Sequence, residues 1–247
     1  MHGYDLIRKI YEEYDRFQFM NYKEKEEETE YVGGRHRQLQ RFIGEGEKHI
    51  LDIGCSRGDF SKFLQGKGHI LVGVDISQHA IDICHRRGIE AYRVDIETED
   101  IPDIGCFDVI LLLEVIEHLI DPIPVLLKLK EMLTENGCLI LSTPNAAYIK
   151  HRLDLMLGKL PNFGEDRSIS SCARPYNLLH KTPFTIRTLE ETLNICDLQI
   201  ARIEPEEYEA SKMWSKKHMK PIRQFLRNTM PSLFAGSILV EARPRKR

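Results

Sequence analysis

Residues 50–60 read Ile-Leu-Asp-Ile-Gly-Cys-Ser-Arg-Gly-Asp-Phe, and this stretch decides the fold. The apolar residues at its start stop abruptly at Gly54, as those of a buried parallel strand do where the strand meets a tight turn. Beyond Gly58 the pattern changes, because Phe60 and Leu64 recur at the spacing of one helical face. A strand, a glycine turn and a helix in this order open a doubly wound α/β sheet, in which ligands bind beyond the carboxyl ends of the strands.

The spacing of the small residues in this turn indicates the type of ligand. A dinucleotide-binding turn has the pattern Gly-x-Gly-x-x-Gly, and Ser56 and Asp59 stand here where its second and third glycines would be. A carboxylate at Asp59, near the start of the helix, is expected to repel a phosphate. This disfavours a nicotinamide-dependent dehydrogenase. Asp52, Gly54, Ser56 and Gly58 instead occupy every second position, and an acidic turn of this kind suits a cationic ligand.

The turn resembles motif I of the class I S-adenosylmethionine-dependent methyltransferases, in which an acidic residue precedes three glycines at alternate positions. Ser56 replaces one of those glycines here. The resemblance implies S-adenosyl-L-methionine as the cofactor and S-adenosyl-L-homocysteine as the product left behind. It further implies that the methionine part of the cofactor lies against Asp52, Gly54, Cys55, Ser56 and Gly58.

Two more predicted strands end in carboxylates, which supports a nucleoside ligand. Asp75, with Ile76 beside it, ends the second strand, and its carboxylate can accept two hydrogen bonds from a ribose diol. The third predicted strand, residues 90–94, is followed by Asp95 and Ile96. In the methyltransferase family the acid at this place accepts a hydrogen bond from the adenine amino group, and the next apolar residue lies beside the ring.

The fourth predicted strand, residues 107–113, leads into a run that carries candidate catalytic groups. The strand is apolar after its second residue, so we expect it to be buried on both faces, with Leu113 at the cofactor site. Methyl transfer mainly requires that the acceptor atom be held in line with the methyl group, but a hydroxyl acceptor must also lose its proton. Glu117 and His118 follow this strand, where the acceptor should arrive, and we predict that they take that proton.

The same run raises the hypothesis of a metal site. If the turn is helical, Glu114, Glu117 and His118 share one face, and His180 would complete a set suited to Mg²⁺ or Mn²⁺. This set resembles the metal site of the small-RNA 2′-O-methyltransferases. The resemblance is incomplete, because Leu119 stands where their second adjacent histidine would be, and the excess of basic charge expected of an RNA-binding protein is missing. A divalent metal therefore stays an open alternative, with no metal ligand assigned.

Three further strands, at residues 138–141, 198–203 and 237–241, complete the predicted fold. A helix is expected to precede the first of them and to end at Gly137. The last strand pairs antiparallel with the sixth in methyltransferases of this type. We therefore predict an α/β fold of the Rossmann-like, doubly wound kind, with a seven-stranded mixed sheet.

Two segments outside the sheet are candidates for covering the site. Residues 1–46 are predicted to form a helical lid, followed by the methyltransferase domain at residues 47–247. Residues 146–182 are predicted to be an insertion that forms the substrate wall. The candidate ligand contacts in the lid are Tyr4, Tyr11, Tyr14, Tyr22, Arg35 and His36, the last two towards the cofactor carboxylate.

Composition limits the partners and the compartment. The chain has 247 residues, 42% of them hydrophobic, which is enough for one large α/β domain. Its net charge of −3 provides no basic field for a nucleic-acid backbone, so a nucleic-acid partner is not expected. The six cysteines include no Cys-x-x-Cys pair, and no apolar run reaches membrane-spanning length. We therefore expect a cytoplasmic protein without a transmembrane segment, and the oligomeric state is left open.

Residues 49–145 as a whole resemble the group that contains the ubiquinone-biosynthesis O-methyltransferases and bacterial enzymes acting on lipids and surface glycans. The resemblance implies methylation of a hydroxyl on a small-molecule, lipid-linked or glycan acceptor. One alternative is a metal-dependent small-RNA 2′-O-methyltransferase. Another is a non-catalytic cofactor-binding module or scaffold, and a scaffold that does not use the cofactor should not bind S-adenosylhomocysteine in a calorimeter.

Overall fold

The computed structural model describes residues 33–161, 180–207 and 220–245. Within these ranges lie seven strands: β1 His49–Ile53, β2 Ile70–Asp75, β3 Glu90–Arg93, β4 Phe107–Leu113, β5 Leu133–Pro144, β6 Leu198–Pro205 and β7 Ser237–Pro244. They form one sheet in the order β3-β2-β1-β4-β5-β7-β6. The first five strands are parallel, and β7 is antiparallel to both β5 and β6. The predicted mixed, doubly wound sheet is therefore confirmed.

Helices flank this sheet. They are α1 Gly34–Ile43, α2 Asp59–Gln65, α3 Gln78–Arg86, α4 Pro122–Glu131, α5 Ile149–Met156, α6 Ile186–Ile195, α7 Lys220–Thr229 and α8 Pro231–Phe234, with a short 3₁₀ helix at Ile116–His118. Ser77, Asp121 and Thr185 cap α3, α4 and α6 by accepting hydrogen bonds from backbone N–H groups of the first turn, as their positions in the sequence predict. None of the helices in the described ranges is long and apolar enough to cross a membrane.

Strand β4 lies in the middle of the sheet, and its side chains enter the apolar cores on both faces of the sheet. Ile110 and Leu112 pack into the core that includes α4 and α6, while Leu111 packs on the other face with residues of α1 and α2. All three side chains are fully buried, as the continuous apolar pattern of the strand predicts. The ends of β1 and β4 are therefore held rigidly, and the candidate site lies at those ends.

The junction of α4 and β5 differs from the prediction. The helix does not extend to Gly137: it ends at Glu131, and β5 begins at Leu133 rather than at residue 138. The backbone N–H of Phe107 donates to the carbonyl of Met132, and Leu133 pairs with Phe107, so tertiary pairing overrides the helical pattern. A Cβ atom at Gly137 would lie 2.9 Å from the carbonyl oxygen of Phe107, so the glycine permits a close approach instead of ending a helix.

Helix α1 connects the far edge of the sheet to its centre. The Gln38 amide donates to the carbonyl of Pro205, and its oxygen accepts from the N–H of Glu207. The proposed lid residues Tyr4, Tyr11, Tyr14 and Tyr22 lie outside the described residues, as do residues 162–179 of the predicted insertion. The lid and the substrate wall therefore stay predictions.

Candidate active site

The turn between β1 and α2 has the backbone geometry of a ligand-binding loop. Gly54, Ser56 and Gly58 all have positive φ angles, of 71°, 47° and 75°. The N–H of Gly54 donates to the carbonyl of Val74, 2.7 Å away, which fixes the turn to β2. A Cβ atom at Gly54 would lie 2.5 Å from a methyl carbon of Val115, so only glycine fits at this position.

Asp75 organises this turn from the end of β2. One carboxylate oxygen accepts from the N–H of Ser56 at 2.8 Å, and the other accepts from the N–H of Ser77 at 2.9 Å. Burial raises the pKa of Asp75, although these backbone hydrogen bonds act in the opposite direction. Each oxygen can still accept a further hydrogen bond, so ribose hydroxyls can be bound in addition to the turn. Ile76, the predicted neighbour, directly follows at the same sheet edge.

Asp52 and Cys55 use their side chains to pack the turn. Asp52 is only 3% exposed and accepts from the Ser61 hydroxyl at 2.6 Å, and burial raises its pKa to about 6. The sulfur of Cys55 is buried 4.0 Å from that of Cys84. Contact between either residue and a cofactor stays a prediction.

The remaining predicted cofactor residues lie at the same edge of the sheet. Asp95 is half-buried just beyond β3, and its carboxylate accepts from the N–H of Glu97 at 3.1 Å. Ile96, beside it, is 9% exposed, and Leu113 ends β4 partly buried. The sheet therefore brings together the residues that the sequence places far apart, while their contacts with a ligand stay predictions.

The run after β4 does not form the helical turn that the four-residue metal hypothesis required. Glu114 has a φ of +57°, and only residues 116–118 are helical. The carboxylate of Glu114 accepts from the hydroxyls of Ser142 at 2.9 Å and Ser237 at 3.1 Å. In the described parts of the chain, the group close enough to hold an ion has three members without Glu114: Glu117, His118 and His180, whose ligand atoms lie within 4.8 Å of one another.

Backbone contacts bring His180 to this place. The N–H groups of Lys181 and Thr182 both donate to the carbonyl of Glu117, at 2.8 and 3.0 Å. The hydroxyl of Thr182 also donates to the carbonyl of Leu119, at 2.7 Å. The imidazole of His180 consequently meets that of His118 edge to face, with 4.7 Å between the ring centres.

Glu117 is a buried carboxyl group beside two imidazoles. It is 1% exposed, and within the described ranges neither side-chain oxygen has a hydrogen bond of normal geometry. Burial and then the nearby Glu114 carboxylate raise its pKa well above the ordinary value, and the Thr143 hydroxyl lowers it by a smaller amount. Burial therefore favours the protonated form of Glu117, and a positive charge beside it would favour the carboxylate.

The sequence analysis missed Glu206, which is buried beside Glu114. Its carboxylate pairs with the guanidinium of Arg35 at 2.7 Å and accepts from the Ser237 hydroxyl, also at 2.7 Å. Arg35 thus contacts Glu206 in this arrangement, while His36 stacks on Phe60. Neither contact was predicted, because Glu206 and Arg35 are 171 residues apart in the chain and no motif connects them.

Ser237 lies between two carboxyl groups. Its hydroxyl oxygen lies 3.1 Å from Glu114, 2.7 Å from Glu206 and 3.0 Å from the carbonyl of Thr143. A hydroxyl has one hydrogen to donate, so it cannot donate to all three oxygens at once, and a protonated carboxyl would relieve the shortage of donors. In agreement with this, burial and then Glu206 raise the pKa of Glu114 to about 7.

We expect the stability conferred by protonated Glu114 to be lost as the pH rises. The folded protein keeps this proton up to a pKa of about 7, whereas the unfolded chain releases it near the ordinary 4.5. The contribution is therefore complete below pH 4.5 and disappears as the pH passes 7. The free energy of unfolding of the wild type should therefore fall between pH 5 and pH 8. In Glu114→Gln this fall should be smaller by about 2–3 kcal/mol. Urea titrations at several pH values measure the free energy of unfolding of both proteins, with Glu190→Gln on the surface as the control. Parallel plots of this free energy against pH for the wild type and Glu114→Gln would contradict the prediction.

Comparison with known proteins agrees with this geometry. A sequence model of the family described as methyltransferase domain matches residues 22–201, most of the chain. The ubiquinone biosynthesis O-methyltransferase of Glaesserella parasuis is 33% identical over 111 residues, covering 40% of this chain and 46% of that protein. The enzyme of the same name from Azorhizobium caulinodans is 42% identical over 101 residues, covering 39% and 40%. The chain thus matches less than half the length of each relative.

Solved structures support the fold. A S-adenosylmethionine-dependent methyltransferase from Methanosarcina mazei superposes with a TM-score of 0.60 at 17% identity, covering 85% of this chain and 98% of that one. One from Mesorhizobium loti gives 0.59 at 18% identity with the same coverage. At such identities the likeness concerns the arrangement of the sheet and helices alone.

Proposed function

This chain belongs to the class I S-adenosylmethionine-dependent methyltransferase family, and we propose that it methylates a hydroxyl group of a small-molecule, lipid-linked or glycan acceptor. One observation carries the proposal: the Asp75-bound turn and the pair Glu117 and His118 lie at the same edge of the sheet. A donor in the turn and an acceptor beside His118 would therefore meet. The oxygen acceptor is supported by the two relatives described above, which are O-methyltransferases.

The turn and the strand ends fit S-adenosylmethionine. The donor supplies, when bound, an activated methyl group on a positively charged sulfur. Asp75 would hold the ribose hydroxyls, since both carboxylate oxygens retain capacity to accept hydrogen bonds. Asp95 would accept from the adenine amino group, with Ile96 against the ring. The backbone of the turn at Gly54, Ser56 and Gly58 would lie against the methionine part.

His118 would remove the proton from the acceptor hydroxyl. Its imidazole is partly exposed, so an acceptor can reach it, whereas Glu117 is buried behind it. An imidazole that gains a proton becomes positive, and this charge favours the ionised form of the neighbouring Glu117. Glu117 would thus act through His118 by stabilising the protonated ring, and His180 would help to fix the orientation of that ring.

Replacing Asp75 by alanine tests the donor site. We expect the affinity for S-adenosylhomocysteine to fall by about 1–3 kcal/mol, or roughly 5- to 150-fold, because ribose hydroxyls lose a charged acceptor. Isothermal titration calorimetry measures it. A wild-type protein that fails to bind the product would favour the non-catalytic scaffold, and an unchanged affinity in the variant would remove Asp75 from the donor site.

Two controls separate binding from folding in this experiment. Asp59→Ala removes an exposed carboxylate from the same turn, and we expect little change in affinity. Asp75→Asn keeps an oxygen that can accept from one of the two backbone N–H groups, so it should be the milder variant. Urea titrations of each variant then show whether any loss of affinity follows a loss of stability.

The class of acceptor can be determined directly. The purified protein is incubated with deuterium-labelled S-adenosylmethionine and separate pools of phenols, aliphatic alcohols, glycans and short RNAs. Mass spectrometry then detects the labelled methyl group. We expect label in a hydroxyl pool and none in RNA, because the chain has a net charge of −3. Label in an amine contaminant alone would contradict oxygen methylation.

A metal-dependent variant of this function is favoured by one observation, the proximity of Glu117, His118 and His180. One carboxylate and two imidazoles suit Mn²⁺, Fe²⁺ or Zn²⁺, and such an ion would lower the pKa of a bound hydroxyl. A nearby cation would also stabilise the ionised form of the buried Glu117 carboxyl. The three side chains therefore suit the binding of an ion as well as they suit proton transfer.

Manganese binding distinguishes the two versions. If the ion is part of the site, Mn²⁺ should raise the melting temperature of the wild type and bind at one equivalent, and His180→Ala should reduce the binding at least tenfold. His49→Ala, on an exposed residue at the opposite end of the sheet, is the control. Equal binding by His180→Ala would exclude the metal version and leave the proton-transfer version intact.

A further inference from the structure

The end of helix α5 exposes an unusual concentration of large apolar side chains. Leu155, Met156, Leu157 and Leu160 are 55, 82, 70 and 64% exposed. Single exposed leucines are common on protein surfaces, but four such residues within six positions form a continuous apolar projection. We refer to residues 153–160 as the apolar tip.

The backbone of the apolar tip is well defined. The N–H of Leu157 donates to the carbonyls of Leu153 and Asp154, and that of Lys159 donates to Asp154 at 2.8 Å. Gly158, with a φ of +68°, reverses the chain after the helix. At the other end, His151 is buried against the domain and contacts Tyr148. The exposed side chains are therefore presented by a fixed turn, which reduces the entropy lost on docking.

A second apolar segment reaches the same region. In α7 and just after it, Ile222, Phe225 and Met230 are 54, 66 and 48% exposed. This segment leads into α8, and the amide of Asn145 donates to the carbonyls of Ser232 and Ala235, at 3.1 and 2.9 Å. Asn145 lies at the carboxyl end of β5, shortly before α5 begins. The helices that carry both apolar segments are thus joined to the chain near Asn145, at the edge of the sheet that carries the candidate site.

Both segments carry a net positive charge. Residues 149–160 contain Lys150, Arg152 and Lys159 against Asp154, which leaves a net charge of +2. Residues 220–230 contain two arginines and a lysine with no acidic residue, a net charge of +3. The chain as a whole is at −3, so these two apolar segments are more basic than the rest of the chain. This combination is typical of proteins that dock on anionic lipid.

We propose that the apolar tip and α7 dock this protein on the surface of an anionic lipid bilayer, with the leucines in the interface and the cations at the headgroups. A symmetric contact with a second copy is the less favourable occupant, because it would bring segments of like charge together. The proposal rests on the proposed function only in giving an apolar, lipid-linked acceptor a short path to His118. Docking itself requires neither donor nor acceptor.

Vesicle sedimentation tests the docking with the full chain. Vesicles of phosphatidylcholine alone are compared with vesicles containing phosphatidylglycerol, at low and at high salt. We expect the anionic vesicles to bind the protein at least tenfold more strongly, and salt to weaken that binding. Equal partition onto both kinds of vesicle, or none onto either, would overturn the proposal.

Paired variants locate the contact. Met156→Glu with Leu157→Glu should lower binding to anionic vesicles at least tenfold, whereas Ile195→Glu, at a side chain 65% exposed on α6, should leave it unchanged. Circular dichroism and calorimetry with S-adenosylhomocysteine establish that each variant is folded. Vesicle binding by the double variant at the level of the wild type would refute the assignment. A wild type that is dimeric and a double variant that is monomeric, with equal binding to vesicles, would refute it as well. A failure of methyl transfer with intact vesicle binding would count against the proposed function alone.

Discussion

Replacing His118 by alanine is expected to lower kcat by about 10²- to 10⁴-fold, the usual contribution of a positioned proton acceptor. The imidazole of His118 is partly exposed, as is that of His180, whereas Glu117 is buried, so an acceptor hydroxyl can approach His118. The affinity for S-adenosylhomocysteine should stay within about twofold, because the donor is assigned to the Asp75 side of the site. Initial rates with the acceptor found in the labelling screen, together with calorimetry, measure both quantities.

The pH profile separates proton transfer from a structural effect. In the wild type the rate should rise with pH as one proton-accepting group loses its proton, and His118→Ala should lose that dependence. His49→Ala provides a histidine control far from the site, at the start of β1. A His118→Ala enzyme with wild-type kcat and an unchanged pH profile would remove His118 from catalysis and leave donor binding unaffected.

The second large effect is expected at Gly58, which we predict cannot be replaced by alanine without a loss of about 2–5 kcal/mol in the free energy of unfolding. Its φ of +75° costs a residue with a Cβ roughly 1–2 kcal/mol. The added Cβ would also lie 2.4 Å from the Cδ1 of Ile89 and 3.1 Å from the sulfur of Cys84, which adds an overpacking cost of about 1–3 kcal/mol. Both neighbours are buried and have little room to move.

Gly88 is a matched control for this variant. Its φ of +72° is nearly the same, but a Cβ atom there would have no neighbour within 4 Å. Gly88→Ala should therefore cost only the conformational part, about 1–2 kcal/mol. Urea titrations give both values, and equal losses in the two variants would show that packing against Ile89 is unimportant. We also expect Gly58→Ala to weaken S-adenosylhomocysteine binding more than Gly88→Ala does, because Gly58 belongs to the turn.

The parts of the fold that depend on local pattern could be predicted from the sequence. The β1 turn, the caps at Ser77 and Asp121, and the buried β4 each follow from residues close together in the chain. The start of β5 could not be predicted, because Leu133 forms its strand by pairing with Phe107 and no local signal marks that partner. Tertiary pairing decided this boundary against a pattern that continued the helix.

The candidate site was predictable where each group follows a strand and unpredictable where it depends on distant contacts. Glu117 and His118 were found because they follow β4, whereas the cluster of Glu206, Ser237 and Arg35 unites three separate parts of the chain. The open metal hypothesis put Glu114 on one helical face with Glu117 and His118, but its positive φ turns the side chain towards Ser142 and Ser237.

The carboxylate of Asp59 is paired with two guanidinium groups. Asp59 was expected to repel a phosphate, yet its carboxylate lies 2.7 Å from the guanidinium of Arg87 and 3.5 Å from that of Arg57. Its charge is therefore largely compensated, and Asp59 alone does not exclude a nucleotide pyrophosphate. The assignment of the donor depends instead on the family match and on the carboxylates at the ends of β2 and β3.

The backbone contacts of Lys181 and Thr182 with the carbonyl of Glu117 have a consequence for engineering. Since main-chain atoms make these contacts, the side chain at position 181 can be varied without removing the hydrogen bonds that place His180 beside His118. A series of variants at this position would change the charge beside the two imidazoles while the backbone of the site stays the same.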